Sequence, residues 1–160
     1  MVTRMLDVVK IDFAPKHRQP RPAPVLVATI VALAGSLAAD AVLVAIGTRV
    51  FPSTAGYVHF RFSAYGKLTA IGVIIACAGW PIVTRISSNP RWVFMRMAVV
   101  VTLVLWLPDL YILAKGQPSK AVAVLMVMHL AIGVVTYNAL VHLAPVRRRR
   151  IRSIDQPVAD

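Results

Sequence analysis

Four long apolar runs constrain this chain more than any other feature. A bilayer core of roughly 30 Å takes about 20 apolar helical residues to cross, and residues 25–46, 68–86, 92–114 and 119–143 each supply such a run. In lipid every backbone N–H and C=O needs a partner within the chain, and four runs of this length meet that demand only as helices. The expected architecture is an all-α integral membrane protein, a four-transmembrane-helix bundle. Its helical domain covers residues 25–143, preceded by a segment 1–24 and followed by a basic tail, 144–160. Apolar residues make up 58% of the chain and charged ones 15%. Soluble domains carry about a quarter charged, so a soluble single domain is excluded, as is disorder over most of the length.

The first run competes with a cleaved signal peptide, because residues 34–39 are small like a cleavage region. Twenty-four residues precede it, however, and it is longer than the roughly 7–15 residues of a signal-peptide core. It is read as a span.

Lys and Arg number 18 against six acids, all Asp, for a net charge of +12. Such a balance would ordinarily suggest nucleic acid. Here the charges gather at the ends of the apolar runs, so the reading is membrane topology, with no nucleic-acid partner. Thirteen of the 18 lie in the N-terminal segment, around the connection between runs two and three, and in the tail; Arg49, Arg61, Lys67, Lys115 and Lys120 lie on the other side. The positive-inside rule puts both termini in the cytoplasm, with the plasma membrane as the location. Trp80 and Trp92 then fall near the inner interface, and Tyr57, Tyr65 and Tyr111 near the outer one. One cysteine rules out a disulfide framework or a CxxC site; Cys77, in mid-span, is read as a small packing residue.

Outside the spans, Met5, Leu6, Val9 and Phe13 recur at helical spacing. They suggest a short amphipathic helix on the inner leaflet, or an end that orders only on a partner. Residues 14–24 hold four prolines among basic residues and read as an extended linker, with an SH3-type ligand as the lesser alternative. In the loop 47–65, Val58, Phe60 and Phe62 alternate with His59, Arg61 and Ser63, a period of two that fits a short strand or an interfacial strip. Tyr57, His59, Phe60, Arg61 and Phe62 are candidates for docking a partner, the blander reading being aromatics resting on headgroups. Residues 115–118 read as a tight turn that makes runs three and four antiparallel neighbours. The tail run Arg147, Arg148, Arg149 and Arg150 either attracts anionic lipid, at about 1 kcal/mol per charge, or fixes topology and stays solvated.

Between helices in lipid, small and polar residues mark the packing faces. The stripes are Thr29, Ala32, Ser36 and Asp40 in the first span, Thr69, Gly72, Ala76 and Gly79 in the second, Thr102, Trp106 and Asp109 in the third, and His129, Gly133 and Thr136 in the fourth. They are expected to face one another in a left-handed bundle, with Pro81 and Pro108 disturbing the hydrogen bonding of their helices. Asp40 and Asp109 are the only acids inside spans. By helical rise both fall about 7–9 Å below the outer end, with His129 about 15 Å deep and Lys67 at the outer mouth. Intramembrane charge is costly unless paired, neutralised or hydrated. Asp40, Asp109, His129 and Lys67 therefore form either a polar pocket for a proton, a cation or a lipid headgroup, or a set of interhelical pairs joining an aspartate to Lys67, Arg49 or His129. No nucleophile with a base, no phosphate-cradling glycine loop and no paired catalytic carboxylates are visible. No catalytic residue, metal site or cofactor is assigned; a haem ligated by His129 and His59 or His142 is disfavoured by their placement.

The order of Gly66-Lys67-Leu68-Thr69, Trp80-Pro81, Thr84-Arg85, Leu107-Pro108-Asp109 and Met126-Val127-Met128-His129-Leu130 resembles the small four-helix membrane proteins of actinobacteria grouped only as a domain of unknown function. The resemblance covers roughly residues 25–143. It implies four helices and a plasma-membrane location, and it carries no activity to transfer.

The functional expectation is a non-enzymatic accessory subunit of a larger membrane assembly, with the lipid bilayer and other membrane subunits or further copies of itself as partners. The alternative is a homo-oligomeric transporter or channel using Asp40, Asp109 and His129. A lipid- or quinone-handling membrane enzyme is third.

Overall fold

The computed structural model describes residues 10–11, 13 and 17–148. Four helices, each long and apolar enough to cross a membrane, carry the fold: α1 (Pro22–Val50), α2 (Phe62–Ile86), α3 (Pro90–Ala114) and α4 (Ser119–Leu143). Prolines open α1 and α3 at the first helical position, where the missing N–H has no intrahelical partner to lose. The helices extend beyond the apolar runs at several ends, because Gly47 and Phe62 continue the helical backbone without breaking it. Both α2 and α3 run through their internal prolines, Pro81 and Pro108.

The turn between α3 and α4 is short, as its sequence implies. Gly116 adopts φ +85°, its N–H bonds to the Leu113 carbonyl at 3.0 Å, and the Gln117 N–H reaches back to Ile112 at 3.2 Å. That is the Schellman arrangement, and it uses the left-handed conformation that glycine adopts without a Cβ penalty. The residues between α1 and α2 form two short 3₁₀ turns, Pro52–Thr54 and Val58–Phe60. The expected period-two strip is absent from this loop: the turns swing Phe60 into the core and leave Val58 and Phe62 exposed.

The most extensive helix contact joins α1 to α4; α3 packs on α4, α1 also packs on α2, and α2 touches α3 and α4 only lightly. At Gly47 the first contact is so close that an added Cβ would stand 2.8 Å from Val124 Cγ2. Two apolar clusters form the core. One contains Ala28, Ala32, Val73, Trp80, Phe94 and Leu140. The other, at the end bearing the α1–α2 loop, contains Phe60, Ala121, Val124, Leu125 and Met128.

The opposite end is closed by the N-terminal segment. The last carbonyls of a helix lack intrahelical donors, and those of α2 receive theirs from outside: Phe13 N–H donates to Ile86 (3.0 Å), and Gln19 Nε2 donates to Thr84 (2.9 Å). The Thr84 hydroxyl donates to Gln19 Oε1 at 2.7 Å, and β1 (His17–Arg18) pairs antiparallel with β2 (Arg147–Arg148). Of the expected extended linker 14–24, residues 17–20 are held against the bundle and residues 22–24 open α1, while residues 14–16 lie outside the described residues. Lys10 and Phe13 have φ of 56° and 51°, which interrupts any right-handed helix reaching residue 13; the rest of that proposed amphipathic helix lies outside the described residues, as do Arg149 and Arg150. Arg147 is exposed.

Candidate functional site

In each helix, buried polar residues fall between members of the two apolar clusters. They are Ser36 and Asp40 on α1, Thr69 on α2, Thr102 and Asp109 on α3, and Thr136 on α4, with half-buried His129 beside them. Three of the four expected stripes supply this belt. On α2 the buried line is instead Thr69, Val73, Cys77, Trp80 and Thr84. Gly72 faces outward and Gly79 has open space where a Cβ would be. Trp80, assigned by sequence to an interface, is fully buried and donates its indole N–H to the Ala144 carbonyl at 2.9 Å. Cys77 packs in the first cluster, as a small apolar residue would.

The belt holds two carboxylates in different settings. Asp109 Oδ2 lies 2.9 Å from His129 Nδ1, joining α3 to α4. Asp40 Oδ2 accepts the Thr69 hydroxyl at 2.7 Å, joining α1 to α2, while its Oδ1 has no partner. Because α1 runs past the apolar stretch, Asp40 stands about 15 Å along it from Val50, further from the helix end than the roughly 7–9 Å expected, and His129 stands about 15 Å along α4 from Ser119. Asp40 and His129 are near enough for their charges to interact, and His59 interacts likewise with Asp109. Lys67 and Arg49, the other cations considered for pairing, are exposed. Among the described residues the ion pair is Asp109–His129.

The loop roofs this belt. Tyr57 and His59 are half-buried, and Phe60 is buried. Tyr57 meets the His59 ring at 5.1 Å and the edge of Phe60 at 5.2 Å. The Tyr57 hydroxyl and His59 Nδ1 are buried without partners. Burial first, and then the charge of Asp109, push the Tyr57 hydroxyl above its usual pKa. Of the docking candidates, Arg61 and Phe62 are exposed, and the other three turn toward the bundle. Sequence alternation missed this because 3₁₀ turns repeat about every three residues and not every two.

A feature without a sequence signal lies between α3 and α4. A groove of about 450 Å³ runs along these helices, lined among others by Met95, Thr102, Trp106, Gly133, Tyr137 and Asn138. Gly133 lets the helices meet closely, since a Cβ there would stand 3.0 Å from Thr102 Oγ1. Trp106 Nε1 donates to the Met126 carbonyl and Asn138 Nδ2 to that of Val134, so both polar groups are satisfied locally. The lining is left largely apolar.

Chemically, Asp109 and His129 can share a proton across a helix interface, whereas Asp40 offers one free carboxylate oxygen in a closed setting. Among the described residues, no three His, Cys, Asp or Glu side chains are placed to hold a metal ion.

No curated protein and no solved structure matches the chain. A family described as "Family of unknown function (DUF6069)" matches residues 14–145, which include all four helices and the whole polar belt. The chain belongs to that family.

Proposed function

We propose that this protein is a non-enzymatic subunit of a larger membrane assembly, held through α3 and the α3–α4 groove by a helix of another membrane protein. The observation that carries this reading is the exposure of α3: only 11% of its most apolar stretch is buried, against 22% in α1 and 33% in α2 and α4. Apolar side chains exposed in lipid gain nothing by themselves. Helices associate there where small residues allow close approach and shape is complementary. Ala98, Thr102 and Gly133 are small residues along the groove, and Trp106 and Tyr137 are large ones beside them. A second helix laid in this groove would find both the depth and the flanks that such packing uses. In this reading both termini are cytoplasmic, the membrane is the plasma membrane of an actinobacterium, and the basic tail meets anionic headgroups.

A homo-oligomeric transporter or channel is the second reading, favoured by the Asp109–His129 pair and Asp40 within one belt. One experiment separates the two. The C-terminally tagged protein is extracted from native membranes in mild detergent, and mass and co-purifying chains are read together. A hetero-complex of fixed stoichiometry, lost in Gly133→Leu, supports the subunit reading. A homo-oligomer without other chains overturns it in favour of transport.

A further inference from the structure

Ser36, Asp40 and Thr136 present three oxygens that the fold leaves without partners. Ser36 and Asp40 are 0% exposed and Thr136 is 4% exposed, yet Ser36 Oγ, Asp40 Oδ1 and Thr136 Oγ1 accept and donate nothing. Buried polar atoms in native proteins are nearly always hydrogen-bonded, to protein, water or an ion. The hydroxyls had an easy alternative. A helical Ser or Thr can donate to the carbonyl four residues back, and Thr29 and Thr48 do so on the same helix, to Val25 and Val44 at 2.9 Å each. Ser36 and Thr136 do not.

The three residues belong to one neighbourhood. Ser36 and Asp40 are one turn apart on one face of α1. The closely packed contact between Gly35 and Val135, where a Cβ would lie 3.0 Å from Val135 Cγ1, joins the two helices beside Ser36 and Thr136; because α1 and α4 run antiparallel, these two residues lie within about 3 Å of one level, with Asp40 one helical turn further along α1. Thr69 holds the other oxygen of Asp40, so Oδ1 is fixed while remaining free to bind.

We propose that Ser36 Oγ, Asp40 Oδ1 and Thr136 Oγ1 form a binding site for a small monovalent cation between α1 and α4. The donor set selects the class: all three ligands are oxygens, the choice of hard cations, and no imidazole or thiol is among them. His129, the nearest imidazole, is engaged by Asp109. The charge selects the valence. One carboxylate is balanced by one positive charge; no Lys or Arg is buried among the described residues to supply it, and His129, whose charge also reaches Asp40, is bonded to Asp109. The site is separate from the groove on which the assembly reading rests, and it stands or falls on its own.

Thermal unfolding of the full chain in detergent, in NaCl against choline chloride at equal ionic strength and pH 8, tests it together with equilibrium binding of radioactive Na⁺. The expected result is a saturable rise in Tm and one Na⁺ per chain, with affinity at least tenfold weaker in Ser36→Ala and in Thr136→Val. These two variants remove an oxygen and leave Asp40 in place, so they remain informative should Asp40→Asn fail to fold. Equal Tm in both salts with no bound Na⁺ would overturn the proposal and leave water as the occupant. Binding that is undiminished in both hydroxyl variants would overturn it as well.

Discussion

Asp109 Oδ2 and His129 Nδ1 stand 2.9 Å apart across the α3–α4 interface, and the two side chains are buried to different degrees, Asp109 with 7% and His129 with 25% of its surface exposed. Removing the imidazole therefore strands a buried carboxylate. His129→Leu is expected to lower stability by about 1–3 kcal/mol, read as a fall in Tm in detergent. Asp109→Asn keeps an acceptor for the ring and should cost less. Equal losses in the two variants would show that packing, and not the shared proton, holds this contact.

Tyr57 makes the opposite prediction. Its hydroxyl is buried and bonds to nothing, so Tyr57→Phe removes a group that gained no partner on folding. Stability at pH 7 should be unchanged or raised by up to about 1 kcal/mol. The hydroxyl's raised pKa in the folded state means that its contribution is fully present below the ordinary tyrosine pKa and is lost as pH climbs through the folded value. Melting between pH 9 and 11 should fall more steeply in the wild type than in Tyr57→Phe. Parallel curves would count against this account.

Gly47 and Val124 form a close passage between α1 and α4. Valine is stiff at χ1 and cannot swing aside, so Gly47→Ala should cost about 1–3 kcal/mol by overpacking. Val124→Ala in the same chain should recover most of that loss. A double variant no more stable than Gly47→Ala would place the strain elsewhere.

At the other end, Thr84 anchors Gln19 through its hydroxyl. Thr84→Val should loosen residues 17–20 while sparing the bundle, so trypsin should cut after Arg18 several-fold faster with Tm nearly constant. Unchanged cleavage would mean that the bond from Gln19 Nε2 to the Thr84 carbonyl, which the substitution leaves in place, suffices.

The helices were legible in the sequence because an apolar run of 20 residues or more has few ways to satisfy its backbone. The inward faces of α1, α3 and α4 were legible for a related reason: a charged or hydroxyl side chain set among leucines is costly to turn toward lipid. On α2 that logic failed. Glycine carries no polarity to betray its direction, and Gly72 and Gly79 lie on or near the outward side while Trp80 occupies the interior. Lys67 is exposed, and its level along α2 said nothing about the face from which it projects. The Asp109–His129 pair was among the options that the sequence offered; the unpartnered oxygens of Ser36 and Thr136 were not, because only packing decides which hydroxyls can reach their own helix. The capping of α2 by Phe13, His17 and Gln19 was hidden for the same reason.

The largest helix interface also bears on how the protein is made. Because α1 finds its main neighbour in α4, the first helix to leave the ribosome must wait for the last one before its buried face is covered. Until then Ser36 and Asp40 have no α4 beside them, and only Thr69 of the intervening helices reaches that carboxylate. Contacts so distant in sequence form late and slowly. A chain shortened before residue 119 would keep three of its four helices and lose the partner that covers the first.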